Sequence, residues 1–238
     1  MIRRAGMPAA SEPALLRVED VAKRFGGATA LDGLTLSLGA GESLGITGPN
    51  GCGKTTLIDV VSGFIRPDRG HVWLAGRDIT RWPPHRVVRA GLARTFQQPR
   101  LAPRLTVEQI LEAAVLHRRL GSSGRRRVVT QILHTVGLAD LRRREGWTLP
   151  LGAIRRVQVG CALAAGGRLL LLDEPFASLG PEDAPEVVSV LRHLRRDGVS
   201  MLIVAHSPAL LQALCDRIAV VEAGRVVQTG SPAEVLRA

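Results

Sequence analysis

The sequence predicts an α/β fold: a mostly parallel sheet, with an antiparallel β subdomain on its N-terminal side and an inserted helical subdomain. Three observations predict it. The runs RLLLLDEP and SMLIVAH have the unbroken hydrophobicity of strands buried on both faces, and the helical segment between them makes the crossover of a parallel pair. Earlier, LLRVEDVAKRF and ALDGLTLSL place apolar residues at alternate positions, as half-buried antiparallel strands do. From 99 to 165 the pattern turns mostly helical. At 238 residues and 45% hydrophobic side chains the chain can enclose one core, and two independent domains would be cramped. Aromatics are 3% and tyrosine is absent, so Leu, Val, Ile and Ala must fill that core.

In chain order, residues 1–13 mix Gly, Pro, Ala and charge without periodicity and read as a disordered leader, so the folded domain is expected over 14–238. The two alternating strands follow, with Gly26-Gly27 as the turn between them. ESLGITGPNGCGKTTLIDVVSGF then passes from a short apolar run through a glycine-rich loop into a helix with Leu57, Ile58, Val60 and Val61 at helical spacing. A turn at Arg66-Pro67-Asp68 leads to a short strand pair around His71 to Leu74, and Gly76-Arg77-Asp78 reads as a break. Pro83-Pro84 opens a helix through Arg89, and Thr106, with Gln109 three residues on, caps the helical run VEQILEAAVLHRRL. After the two buried strands the chain closes with a hairpin, RIAVVEAGRVVQTG, and a helix capped by Ser231 and Glu234. No internal repeat is present, so a single domain is expected, with 99–165 as its helical subdomain.

Composition narrows the function classes. No stretch has the apolar length of a secretory signal or a membrane-spanning helix, which places the chain in the cytosol. Cys52, Cys161 and Cys215 are too few and too scattered for a disulfide framework or a zinc site. The charge of +11 rests on arginine runs such as Arg125 to Arg127 and Arg142 to Arg144, and reads as a solvated basic face. Without interleaved aromatics there is no stacking platform, so nucleic acid is not an expected partner.

The chemistry is concentrated in two motifs. Gly48, Pro49, Asn50, Gly51, Cys52, Gly53, Lys54 and Thr55 match the phosphate-loop pattern at every fixed position, and Thr56 beside them is counted with the nucleotide-binding residues. Glycines let successive backbone N–H groups curl around a polyphosphate, Lys54 reaches the β and γ phosphates, and the Thr55 hydroxyl suits Mg²⁺. Asp173 and Glu174 end the strand LLLLDEP, where an open parallel sheet gathers its ligand groups. One carboxylate there can hold the Mg²⁺ shell and the other can polarise a water for attack on the γ-phosphate. ATP and Mg²⁺ are therefore the expected ligands of a phosphate-loop NTPase fold of the RecA-like kind.

With these motifs in this order, the chain resembles the ATP-binding subunits of ABC transporters from Leu15 to Leu236. The phrase GRDITRWPPHRVVRAGLARTFQQ is most similar to the branch serving branched-chain amino-acid, urea and amide importers. The resemblance implies a peripheral subunit on the cytoplasmic face of the membrane, working with membrane-spanning permeases, a second ATP-binding subunit and, indirectly, an extracytoplasmic solute-binding protein. It implies that Phe25 stacks on adenine, unless it belongs to the core. Gln97 would sense Mg²⁺ and the attacking water, with Gln98 beside it as an ambiguity of register, and His206 would contact the γ-phosphate.

The sequence departs from that family at its signature. Where members carry a motif close to LSGGQ or LSYGQ, followed by a helix containing two arginines, this chain has Leu149-Pro150-Leu151-Gly152-Ala153-Ile154-Arg155-Arg156, in which only the leucine, one glycine and the arginine pair match. Pro150 supplies neither hydroxyl nor N–H, and Leu151 adds bulk where a nucleotide must approach. A second departure is Gly180 in Ala177-Ser178-Leu179-Gly180, where an acidic or amide residue is usual. Because the family's sites form between two subunits, the defect falls on the nucleotide held by the partner. The expectation is an asymmetric heterodimer; the alternative is a regulatory subunit that binds ATP with little hydrolysis of its own.

Overall fold

A computed structural model describes residues 14–97 and 101–236. The expected leader over 1–13, Gln98, and the first residues of the expected helical segment lie outside the described residues. The chain opens with β1 (Leu16–Phe25), β2 (Ala28–Leu38), β3 (Ser43–Thr47), α1 (Lys54–Val61), β4 (Arg69–Leu74) and β5 (Arg77–Asp78). It continues through α2 (Pro84–Arg89), β6 (Leu92–Arg94), α3 (Val107–Val115), α4 (Ser122–Thr135), α5 (Leu151–Ala164) and β7 (Leu169–Asp173). It ends with α6 (Ala184–Arg196), β8 (Ser200–Val204), α7 (Pro208–Leu214), β9 (Arg217–Glu222), β10 (Arg225–Gly230) and α8 (Pro232–Val235).

The alternating strands form an antiparallel sheet in the order β2-β1-β4-β5, and the buried runs form a second sheet in the order β10-β9-β3-β8-β7-β6. In the second sheet β3, β6, β7, β8 and β9 run parallel and only β10 is antiparallel. The reason is visible in burial: Leu169 to Leu172 and Ser200 to Val204 are buried along their whole length, so both faces must be covered, which crossover helices do. Leu57, Ile58 and Leu31 fill one side with Leu171 and Leu202, while Leu170, Leu172 and Ile203 face Leu191, Leu194 and the helical segment.

Between β6 and β7 stand three α-helices around Leu111, Val129, Leu133, Val157 and Val159. Helix α3 begins where its capping box lies: the Gln109 N–H donates to Thr106 Oγ1 at 3.3 Å, and the Thr106 N–H donates to Gln109 Oε1 at 2.9 Å. It ends at Val115, short of the helical run expected through Leu120, because the exposed stretch from Leu116 to Arg119 has no apolar face to bury. Two further differences concern strands. Arg77 and Asp78, expected as a break, pair with Leu74 and Trp73 as an edge strand beyond the Ala75-Gly76 turn. Leu92–Arg94 joins the parallel sheet as its edge, a strand too short for periodicity to mark.

Candidate nucleotide site

The parallel order brings the carboxyl ends of β3, β7 and β8 side by side, so the loop at 48–53, Asp173-Glu174 and His206 meet at one rim. There a cleft of 220 Å³ is lined by Asn50, Gly51, Gly53, Lys54, Thr55, Thr56, Gln97, Asp173, Glu174 and His206, together with Ala30 and Val204. Gln97, on the segment leaving β6, reaches the same cleft. Phe25 does not line it. The ring stands half exposed at the end of β1, with the Lys23 ammonium 5.6 Å from its centroid, so it belongs to neither the cleft nor the core.

The loop is built for backbone approach. Gly48 has φ 146°, and a Cβ on it would stand 2.0 Å from the carbonyl oxygen of Val221 on β9, a position no side chain can take. Gly53 ends the loop in a left-handed conformation, φ 109°, and its carbonyl accepts the Leu57 N–H at 2.8 Å to start α1. Lys54 is buried within the loop, its ammonium donating to the carbonyls of Gly48 at 2.8 Å and Pro49 at 2.9 Å. Cys52 packs inside the loop, with its sulfur 3.7 Å from that ammonium.

Across the cleft Asp173 is nearly sealed, and its Oδ2 accepts from Arg94 Nη2 at 3.0 Å. Glu174 holds φ 48°, uncommon for a residue with a side chain, and is fixed there by its own N–H donating to Val204 at 3.0 Å. Its Oε1 lies 3.1 Å from His206 Nε2, with the carboxylate 16% and the imidazole 51% exposed. Burial raises the Glu174 pKa above its ordinary value. Attraction to His206 opposes this, Asp173 adds to it, and Lys54 opposes it in turn. The result is a carboxylate with basicity above that of a free glutamate, adjoined by an imidazole.

These residues fit ATP and Mg²⁺. Loop residues Asn50, Gly51 and Gly53 and the Lys54 side chain line the cleft, which suits a polyphosphate, and the hydroxyl, carboxylate and amide oxygens of Thr55, Asp173 and Gln97 are the hard donors Mg²⁺ takes. No group of three or more His, Cys, Asp or Glu side chains stands ready to hold a metal among the described residues, so phosphate oxygens and water complete such a shell.

Two arginines with contacts to this rim were not assigned roles from sequence. Arg94 joins Asp173 to Asp59, and Arg155 donates from Nη1 to the Phe96 carbonyl at 3.2 Å and from Nη2 to the Ala177 carbonyl at 3.0 Å. Arg155 was marked only as one of the arginine pair after the signature stretch, and Arg94 only by its place before Gln97. The stretch expected from sequence to be an altered signature leads into α5: Pro150 is its N-cap with no side-chain hydrogen bond, and Gly152 packs against Asp183, whose Oδ1 lies 2.6 Å from where a Cβ would be.

The family profile described as "ABC transporter" matches residues 31–177. The chain is 34% identical to the lipopolysaccharide export system ATP-binding protein LptB of Acidithiobacillus ferridurans, over 93% of this chain and 92% of that protein. It is 36% identical to the methionine import ATP-binding protein MetN of Rhizobium johnstonii, over 93% of this chain and 62% of that longer protein. Among solved structures, an ATP-binding cassette of an ABC transporter in its ADP conformation superposes with a TM-score of 0.84 at 29% identity, covering 94% of each chain. The cbiO1 subunit of Clostridium perfringens, part of an ABC transporter complex, does so with a TM-score of 0.87 at 27% identity over 95% of this chain and 92% of that one.

Proposed function

Because the chain belongs to the ABC transporter family as an ATP-binding, ATP-hydrolysing subunit that uses Mg²⁺ and serves membrane permeases, we propose a role for each residue of the cleft. The observation that carries the assignment is the convergence of Lys54, Gln97, Asp173, Glu174 and His206, from four separate stretches of chain, on one small cleft. The backbone N–H groups of Asn50, Gly51, Cys52 and Gly53 cradle the phosphates, Gly48 and Pro49 shape the entry to that loop, Lys54 exchanges its two carbonyl partners for β and γ oxygens, and Thr55 and Thr56 hold the far end of the cradle. Mg²⁺, when bound, neutralises charge on the β and γ phosphates, with Thr55, Gln97 and Asp173 supplying oxygens to its shell. Glu174 takes a proton from the attacking water, and His206 holds the Glu174 oxygen in place and offers an N–H toward the γ-phosphate. Phe25, exposed at the end of β1, stacks on adenine at the outer edge.

The test is Glu174→Gln in the assembled transporter. It preserves shape and removes the base, so kcat is expected to fall about 10²- to 10⁴-fold while ATP affinity holds. An unchanged rate would favour the regulatory reading, in which this subunit binds ATP and hydrolyses little.

We also propose that the subunit works in an asymmetric pair on the cytoplasmic face of the membrane. What supports this is the start of α5, where Pro150 and Leu151 stand in place of the small polar residues that a phosphate from the opposite subunit meets. A partner with an intact signature would complete the site on this chain's loop, while the partner's own nucleotide turns over slowly. Robust turnover by this chain as a homodimer would overturn the pairing. For the cargo we propose uptake of a small polar solute. The phrase over 76–98 favours branched-chain amino acids or a related amide or urea, whereas the relatives named above serve lipopolysaccharide export and methionine import. Permeases and solute-binding protein purified with this subunit, reconstituted in vesicles and offered labelled leucine or urea with ATP, decide the cargo by uptake.

A further inference from the structure

Arg94 lies where three parts of the nucleotide site meet, and none of the roles above uses it. It ends β6, opposite Leu171 of β7 and three residues before Gln97. Its Nη2 donates to Asp173 Oδ2 at 3.0 Å, while its Nη1 donates to Asp59 Oδ1 at 2.5 Å and to Ser62 Oγ at 3.3 Å, both on or just beyond α1. The Arg94 side chain is 9% exposed and that of Asp173 6%. The rings of Phe64 and Phe96 flank the guanidinium, with centroids 5.6 and 5.1 Å from its central carbon.

Two carboxylates that meet one guanidinium, Asp173 almost sealed and Asp59 23% exposed, are held together by that shared cation. A planar guanidinium can fork to both from fixed directions, whereas an ammonium is a point charge that satisfies one geometry at the expense of the other. The Arg94 Nε–H finds no partner among the described residues, so the fork is aimed by the two carboxylates and Ser62 rather than by full satisfaction of the arginine.

We propose that Arg94 is a positioning residue for Asp173. It occupies Oδ2, leaves Oδ1 free of its own contact, and through Asp59 ties the carboxylate to the helix that begins with Lys54 and Thr55. The strand that leads to Gln97 is drawn into the same ion cluster, so spacing between the phosphate loop, the metal-shell carboxylate and the glutamine is fixed by one side chain. This rests on the reading of Asp173 as a Mg²⁺-shell group.

The test is Arg94→Lys in the full chain, with the fluorescent nucleotide mant-ADP titrated in excess Mg²⁺ and in EDTA. Lysine keeps the charge and loses the fork. The tightening of mant-ADP binding by Mg²⁺ is expected to shrink about tenfold, while affinity in EDTA stays within about threefold of wild type. Full retention of the Mg²⁺ effect would overturn the proposal. So would an equal loss of affinity in EDTA, since that marks general damage to the fold. Asp59→Asn, which cuts the other arm and leaves Asp173 and Arg94 in place, is expected to give a smaller loss of the same Mg²⁺-dependent kind; it carries the test if the lysine variant does not fold, and no effect on the Mg²⁺ gain would overturn the tie to α1. Asp173→Asn separates the two readings. If it leaves the Mg²⁺ effect intact, the role of Asp173 itself fails; if it removes the effect while Arg94→Lys does not, only the role of Arg94 fails.

Discussion

Replacing Gly48 by alanine adds one methyl group, and the structure fixes what it meets. The new Cβ would lie 2.0 Å from the Val221 carbonyl oxygen, 3.1 Å from its carbon and 3.0 Å from the Cys52 sulfur. Ordinary contact needs at least about 3 Å to a backbone oxygen, so loop and strand β9 must part by about 1 Å. Strain at φ 146° adds about 1 to 3 kcal/mol to an overpacking cost of similar size. A displacement of that order in a phosphate cradle costs on the order of 10²-fold in function. Gly51 is the matched control: its φ is 78°, yet a Cβ there meets nothing within 4 Å, leaving only about 1 to 2 kcal/mol of left-handed strain. ATP affinity by fluorescence titration and thermal melting of both variants are the assays. The expected order is a roughly hundredfold loss for Gly48→Ala and a few-fold loss for Gly51→Ala, with the melting point lowered more in the first. Equal losses, or a worse Gly51→Ala, would refute the argument that contact with β9 shapes the loop.

Burial pushes the Cys161 thiol up to about 11 and the Cys215 thiol up to about 12. Both are therefore expected to resist iodoacetamide in the native protein near neutral pH and to react once it is unfolded, as followed by mass spectrometry. An unfolded thiol ionises near 9.0, so the folded state binds more protons above that value: the stabilisation is complete below 9.0 and is lost as pH rises toward 11 and 12. Denaturant midpoints should fall across that window and less steeply in Cys161→Ala. Thr106→Ala removes one arm of the capping box on α3 and is expected to cost about 1 kcal/mol in a urea melt, with ATP affinity unchanged because the cap lies outside the cleft.

What the sequence made legible is what local chemistry alone determines. A fixed spacing of glycines before Lys54 signals the phosphate loop, unbroken leucine runs mark strands covered on both faces, and a Thr–Gln pair starts a helix where its two hydrogen bonds form. What stayed hidden depends on meetings between distant residues. The edge strand Leu92–Arg94 spans too few residues to show a period, and its existence rests on pairing with Leu169–Leu171. The exposure of Phe25 at the end of β1, beside the Lys23 ammonium, was likewise not legible, because position along the chain cannot say which way a side chain at a strand end points. The partners of Arg94 and Arg155 were hidden too, because they are carboxylates 35 and 79 residues away for the first and carbonyls 59 and 22 residues away for the second.

The altered signature shows the same division of labour within one helix. Arg155 holds the Phe96 and Ala177 carbonyls, Arg156 holds the Gly137 carbonyl at 2.6 Å and pairs with Glu186 at 2.6 Å, and Gly152 gives Asp183 room. These are the positions where the chain keeps the family's residues, and each has work inside its own subunit. Pro150, where the chain departs, is exposed at the helix start and makes no side-chain hydrogen bond there. Proline at an N-cap costs the helix little, because the N–H groups of the first turn have no partners within the helix in any case. Substitution at 150 therefore leaves the subunit's own packing intact. Its consequence falls on whatever approaches α5 from outside, which under the asymmetric pairing proposed above is the nucleotide of the opposite subunit.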